Sequence, residues 1–198
     1  IKKALELAVK CKNIILLDMG NVFLKPIHGE IIELLFKNKK NNLEYEKFKS
    51  EIALILNDSF DGKITLKQTW DKLFDLVEIK ENREKIINGY SIKRNEELIE
   101  YVKKYLSKYC TIGILSDLSQ IGYYVFNNYY NDLYELCDKD NVFVSVNTGM
   151  TKSKDGENYF RKIVKQLNVS PKSIIFIDDE INNINNAKKV GINTILFE

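Results

Sequence analysis

Three apolar runs in this chain of 198 residues each end on a residue that can do chemistry. Asp18 follows Ile14-Ile15-Leu16-Leu17, Ser116 follows Ile112-Gly113-Ile114-Leu115, and Asp178-Asp179 follows Ile174-Ile175-Phe176-Ile177. A fourth signal, Lys154, comes after Val142-Phe143-Val144 and a loop. In an open α/β sheet the carboxyl ends of parallel strands converge on one crevice, and ligands bind there. Gathered in that crevice, a carboxylate, a hydroxyl, an ammonium and a carboxylate pair supply a nucleophile, a hydrogen-bond donor, a charge clamp and a metal seat. Those are the parts of phosphoryl transfer. The adjacent acids are the most specific of the signals, because two carboxylates closing a buried strand repel and need a cation or donors.

The elements that must position these groups are legible as alternating periods. Residues 94–108 carry Leu98, Ile99, Val102 and Leu106 at helical spacing, and 110–115 read as a buried strand. A helical stretch with Ile121, Tyr124, Val125 and Phe126 follows, then a strand over 142–145, a helix over 157–167, a strand over 173–177, a helix over about 182–190 and a last strand over 193–197. Alternation of this kind implies right-handed βαβ units: an α/β, three-layer Rossmann-like parallel sheet covered on both faces. Between residues 29 and 92 only helical patterns occur, around Ile31 to Leu35, Phe48 to Leu56 and Trp70 to Leu76. Asp61-Gly62-Lys63 marks a turn and Thr65 is placed to cap the helix carrying Trp70. The expected organisation is therefore a core of residues 1–25 and 93–198 with an all-helical cap, 26–92, inserted after the first strand and hinged between Pro26 and Gly29.

Composition narrows the function classes. The hydrophobic fraction of 44% fits a globular chain, and the net charge of +2 with acids and bases interspersed gives no nucleic-acid footprint. The 3 cysteines, Cys11, Cys110 and Cys137, are far apart and form no C-x-x-C, so a reducing, cytoplasmic setting is expected. The apolar runs are too short for a membrane span. Residues 1–12, with Ala4, Leu5, Ala8 and Cys11 on one face, read as an amphipathic helix. The chain opens on Ile1 rather than Met, which leaves open whether residues precede it. The single histidine, His28, rules out a two-histidine metal site and is expected in the solvated hinge. Trp70 is expected in the core, and Tyr123, Tyr124, Tyr129 and Tyr130 in packing or an interface.

Asp18-Met19-Gly20-Asn21-Val22 after an apolar strand resembles the first motif of the haloacid dehalogenase-like (HAD) hydrolases, whose leading aspartate attacks phosphorus and becomes an aspartyl phosphate. Leu115-Ser116-Asp117 looks like the second motif, Lys154 the third, and Asp178-Asp179-Glu180-Ile181-Asn182-Asn183 with Ala187 and Gly191 the fourth. The resemblance covers the chain from about residue 12, and the segment Gly149-Met150 to Lys154 with Tyr159-Phe160 is most similar to sugar-phosphate phosphatases. It implies a phosphate bound by Met19, Gly20, Ser116, Asp117 and Lys154. It also implies Mg²⁺ held by Asp18, the Gly20 carbonyl and Asp179, with Asp178 ligating or orienting a bound water. Asn183 is expected to hydrogen-bond within the fourth-motif loop. The family spacing counted back from Tyr159-Phe160 selects Lys154, and counted forward from Gly149 it selects Lys152. The helix is the more rigid ruler, so Lys154 is the expected residue.

One departure matters. Most phosphatases of the family it resembles carry a second aspartate two residues after the nucleophile as general acid and base, and here that position is Gly20, as in the sugar-phosphate members that share the D-x-G-N start. Such help is typically worth about 10²–10⁴-fold, so the expected substrates are esters with good leaving groups: aryl, acyl or anomeric sugar phosphates. The expected function is a Mg²⁺-dependent phosphatase acting on a small phosphorylated metabolite. Alternatives are a metal-free 2-haloacid dehalogenase, a phosphomutase, or a catalytically weak phosphate-binding or interaction module. Against the dehalogenase, Arg83, Arg94 and Arg161 are the only arginines and none lies in the early cap.

Overall fold

The computed structural model of the chain describes residues 14–24, 27–88 and 93–198. The helix predicted over 1–12 and the hinge residue Pro26 lie outside the described residues. Five strands, β1 (Ile14–Leu17), β2 (Thr111–Ser116), β3 (Val142–Val144), β4 (Ile174–Asp178) and β5 (Asn193–Leu196), form one parallel sheet in the order β3-β2-β1-β4-β5. The near-continuous apolar character of β1, β2 and β4 is what burial on both faces requires. The chain winds from β1 out through β2 to β3, then returns to the other side of β1 for β4 and β5, so the order reverses at β1 and β4. That reversal opens a crevice above their carboxyl ends.

Register makes the convergence exact to one residue. Leu17 pairs with Ile114 on one side and Ile177 on the other. The Asp18 N–H then donates to the Ile177 carbonyl at 2.9 Å, which sets Asp18 beside the end of β4. Alternation along each strand splits the core in two. Leu16, Leu115, Phe143 and Phe176 face one layer, packed by the helices α10 (Glu157–Leu167) and α11 (Ile181–Val190) through Tyr159, Phe160, Ile163, Ile184 and Ala187. Ile15, Leu17, Ile114, Ile175 and Ile177 face the other, against α5 (Glu96–Tyr101, continued as a π-helical turn over Val102–Leu106) and α6 (Gln120–Tyr129).

Between β1 and β2 the chain forms α1 (Ile27–Asn38), α2 (Tyr45–Phe60), α3 (Leu66–Leu76) and α4 (Arg83–Ile87), with no strand among the described residues there. It leaves the sheet and returns to it at neighbouring points, since Leu24 and Arg94 form an antiparallel bridge and the Asn95 N–H donates to the Phe23 carbonyl at 2.8 Å. Thr65 caps α3 in a reciprocal box with Gln68, as the sequence predicts. Gly29 falls inside the first turn of α1 rather than at a hinge, because the helix begins at Ile27. Trp70 is core, stacked on Phe74 at 5.5 Å. Of the four tyrosines, Tyr130 is fully buried beneath the Arg94 guanidinium, as packing would have it, whereas Tyr129 is exposed. Phe48, Trp70, Leu73 and Phe74 belong to the same apolar cluster as Ile15, Leu17, Val125 and Phe126, so the helical segment shares a continuous core with one face of the sheet.

Gly113 sits where β2 crosses Leu16 of β1. A Cβ there would come within 2.5 Å of the Asn141 carbonyl oxygen and 2.8 Å of Leu16 Cδ2. Gly113→Ala is therefore expected to destabilise the fold by about 1–3 kcal/mol through overpacking. A chain of this size then loses roughly 2–4 °C of Tm per kcal/mol, which thermal unfolding would measure. An unchanged Tm would show that the sheet relaxes at this crossing.

Candidate active site

The nucleophile candidate is fixed by the turn that follows β1. The Met19 carbonyl accepts the N–H groups of Phe23 and Leu24 at 3.0 and 2.9 Å, and Asn21 takes a left-handed conformation at φ 52° that asparagine tolerates better than most residues. This reverses the chain tightly and leaves Asp18 at the mouth of the sheet, 7% exposed. The Asn21 amide reaches across to donate to Asp179 Oδ2 at 2.8 Å. Ser116, almost fully buried at the end of β2, hydrogen-bonds Asp18 and accepts the Met19 N–H at 3.4 Å.

The lysine in the site is Lys152, and Lys154 is not part of it. The Lys152 ammonium is 2% exposed, 2.7 Å from Asp18 Oδ1 and 2.6 Å from Asp178 Oδ2. Lys154 points away and pairs with Asp61 at 2.7 Å. The reason is local. A short helix, α9 (Lys152–Asp155), starts at this point with Thr151 as its N-cap, and residues two apart on a helix do not share a face. Asp117 supports the turn as well, accepting the Lys152 N–H with both carboxylate oxygens at 2.9 and 3.0 Å. Asp117 thus supports the main chain that carries the lysine, and it also lines the cavity in which the resemblance implies that it meets substrate.

Asp178 is wholly buried, and its charge is met by Lys152, by the Glu180 N–H at 2.7 Å and by the Asn183 amide at 3.1 and 3.2 Å. Asn183 hydrogen-bonds within its own loop, as expected. Asp179 lies half-buried beside it, and Asp18, Asp178 and Asp179 each offer an oxygen within 4.8 Å of the others. Burial, and then the neighbouring Asp178, push the Asp18 carboxyl up to about 6, against the opposing pull of Lys152. Burial alone would favour neutral Lys152, but Asp18, Asp178 and Asp117 outweigh it and hold its pKa above the ordinary lysine value. Asp18, Asp178 and Asp179, grouped near the one Lys152 ammonium, leave negative charge over, and hard oxygens so grouped suit a divalent cation.

These groups open into a cavity of about 490 Å³. Asp18, Gly20, Ser116, Asp117, Lys152 and Asp179 all line it. Met19 does not, because its side chain is fully buried in the apolar core and only its main chain touches the site. The side chain of His28 lies outside the described residues. Sequence reasoning missed Phe60, Asn182 and Asn186, which also line the cavity. Asn182 and Asn186 sit one turn apart on α11 beside the twin acids, and that spacing was the available signal. Phe60 gave none.

A family model described as haloacid dehalogenase-like hydrolase matches residues 24–197. No curated protein matches the chain. Among solved structures, a HAD family enzyme from Bacteroides thetaiotaomicron, in complex with magnesium and inorganic phosphate, is similar over 95% of this chain and 95% of its own, with a TM-score of 0.75 and 20% identity. A dehalogenase is similar over 95% of this chain and 85% of its own, with a TM-score of 0.57 and 15% identity. The sheet order, the motif order along it and a model match spanning nearly the whole described chain agree, and the chain belongs to the haloacid dehalogenase-like hydrolases.

Proposed function

We propose that the chain is a Mg²⁺-dependent phosphatase that hydrolyses a small phosphorylated metabolite through an aspartyl-phosphate intermediate on Asp18. The observation that carries this reading is the Lys152 ammonium buried between Asp18 and Asp178, with Asp179 completing a trio of carboxylates. An Asp18 oxygen attacks phosphorus, the bond to the ester oxygen breaks, and the leaving group departs with the electron pair. Lys152 and the Ser116 hydroxyl hold the phosphoryl oxygens and offset the charge that develops on them. Water then attacks the aspartyl phosphate, releasing inorganic phosphate and restoring the carboxylate. Asp18, Asp179, the Gly20 carbonyl and Asp178, directly or through water, would hold Mg²⁺, which when bound screens the repulsion between the nucleophile and an anionic ester. The helical segment, residues 26–92, serves as a cap over a core of 1–25 and 93–198, consistent with the adjacent exit and return at Leu24 and Arg94.

A neighbour that binds magnesium and inorganic phosphate supports this reading, and a dehalogenase neighbour marks the alternative. The arginines favour the phosphatase: Arg83 pairs with Asp71 and Asp75, Arg94 with Glu96 and Asp132, and Arg161 with Glu157, so none faces the cavity to seize a haloacid carboxylate.

A phosphate-release assay over acyl, aryl, sugar and alkyl phosphates is expected to show turnover that needs Mg²⁺ and falls by about 10³-fold or more in Asp18→Asn. Metal-independent halide release from a 2-haloacid would replace this reading with the dehalogenase. Lys152→Met is expected to abolish turnover and, by stranding two carboxylates, to cost about 3–5 kcal/mol of stability. Lys154→Met should lower acetyl phosphate turnover at least ten times less, and equal losses would put the charge clamp elsewhere.

Gly20 is a place to gain function. A Cβ there meets only Asp18 Oδ2, at 3.9 Å, and the residue is not in the left-handed region, so neither space nor backbone demands glycine. Gly20→Asp is expected to raise kcat for an alkyl phosphate by about tenfold or more while changing acetyl phosphate little, since only the poor leaving group needs a proton. A uniform change across both substrates would mean the missing acid is supplied elsewhere.

A further inference from the structure

A second cavity, of about 420 Å³, lies in the helical segment between β1 and β2 and shares no lining residue with the catalytic one. Lys37 in the last turn of α1, Lys40 in the loop after it and Lys85 of α4 all line this cavity. Leu34, Ile79 and Ile86 give it an apolar wall, the two isoleucines being buried. Glu81 is the single carboxylate in the lining, so the charge there is positive.

The lysines are not matched from within the chain. Arg83, two residues before Lys85, pairs with Asp71 and Asp75 at 3.6 and 3.5 Å. Among the described residues Lys37, Lys40 and Lys85 have no ion-pair partner, in Glu81 or in any other carboxylate. Asn82, which also lines the cavity, precedes α4 in a left-handed conformation at φ 60°, and its side chain makes no capping hydrogen bond. Like charges around one concavity repel each other, and an anion placed among them interacts with all of them at once.

The main chain that carries these groups is held by the end of α3. The Lys40 N–H donates to the Val77 carbonyl at 2.9 Å, and the Asn41 amide donates to the Leu76 carbonyl at 2.8 Å. From the other side Arg83 donates to the Ile79 carbonyl at 2.9 Å and lies over the Phe74 ring at 5.0 Å. The loop after α1 and the short helix α4 are thereby anchored to one element, with the cavity lined from both. Such fixing lowers the entropy lost when a ligand settles between them.

We propose that this cavity is a binding site for an organic pyrophosphate. Its phosphates lie among Lys37, Lys40 and Lys85, and its organic body covers Leu34, Ile79 and Ile86. Ammonium groups bind phosphate as compact point charges, and several of them suit a pyrophosphate ester better than a singly phosphorylated one. An inorganic anion would leave the apolar wall uncovered. The site is independent of the phosphatase reading, since none of its residues touches the catalytic cavity.

Calorimetric titration of the Mg²⁺-loaded chain with α,β-methylene ADP, which resists hydrolysis, tests the proposal. Methylene diphosphonate and adenosine serve as the charged part and the organic body alone. The whole analogue is expected to bind at least about tenfold more tightly than either fragment. Lys37→Met combined with Lys85→Met should weaken it by about tenfold or more, and Lys40→Met alone by about threefold or more. Lys47→Met combined with Lys72→Met removes the same charge from exposed positions outside the cavity and should change it less than about threefold. No binding at about 1 mM analogue would overturn the proposal. So would equal weakening by the two double variants, which would mean diffuse surface charge, or no weakening by either, which would place the analogue elsewhere. A fragment that binds as tightly as the whole analogue would overturn the ligand class and the proposal with it.

Discussion

A single buried ammonium organises the mouth of this sheet. Lys152 lies between Asp18 at the end of β1 and Asp178 at the end of β4, two carboxylates that would otherwise face one another in a poorly solvated crevice. Buried charges are tolerated only when paired and hydrogen-bonded. The surrounding structure does this thoroughly: Asn183 and the Glu180 N–H complete Asp178, Ser116 reaches Asp18, and Asp117 holds the main chain of Lys152. Remove the lysine and the arrangement has like charges without a counterion.

The same arrangement explains why the site is built at strand ends. Three parallel strands in matched register put Asp18, Ser116 and Asp178 within one residue's rise of each other, with no need for long flexible loops. Side chains on rigid strand ends are held to tighter tolerances than side chains on loops, and electrostatic stabilisation of a transition state depends on that tolerance. The lysine is the exception. It arrives on a short helix after β3, and its placement needs the Thr151 cap and the Asp117 carboxylate.

The helical segment after β1 is joined to this machinery at few points of known chemistry. Its apolar residues merge with one layer of the core, while Ser59, Asp61 and Gly62 attach the end of α2 to α6, α9 and the Val146 carbonyl. The attachment to Lys154 gives a role to the lysine that family spacing placed in the catalytic cluster. Two residues of one short helix thus go to different partners, Lys152 to Asp18 and Asp178 and Lys154 to Asp61.

What the sequence determined by itself was everything that follows from local pattern. Apolar runs in alternation with helical periods gave a parallel sheet in three layers, and the residues closing those runs gave Asp18, Ser116 and the twin acids, because strand ends of such a sheet must converge. Thr65 as a cap, Trp70 as core and Asn183 as a partner within its own loop were legible for the same reason. The tertiary structure decided the rest. Whether Lys152 or Lys154 enters the site depends on where a four-residue helix begins, and there the local Thr151 cap is joined by an aspartate 35 positions away along the chain. Met19 turned into the core because the tight turn after β1 fixes its direction. Phe60 carried no signal at all: an aromatic at the end of an amphipathic helix reads as core in any sequence, and only the packing of α2 against distant elements brings it to the cavity that Asp18 and Lys152 line.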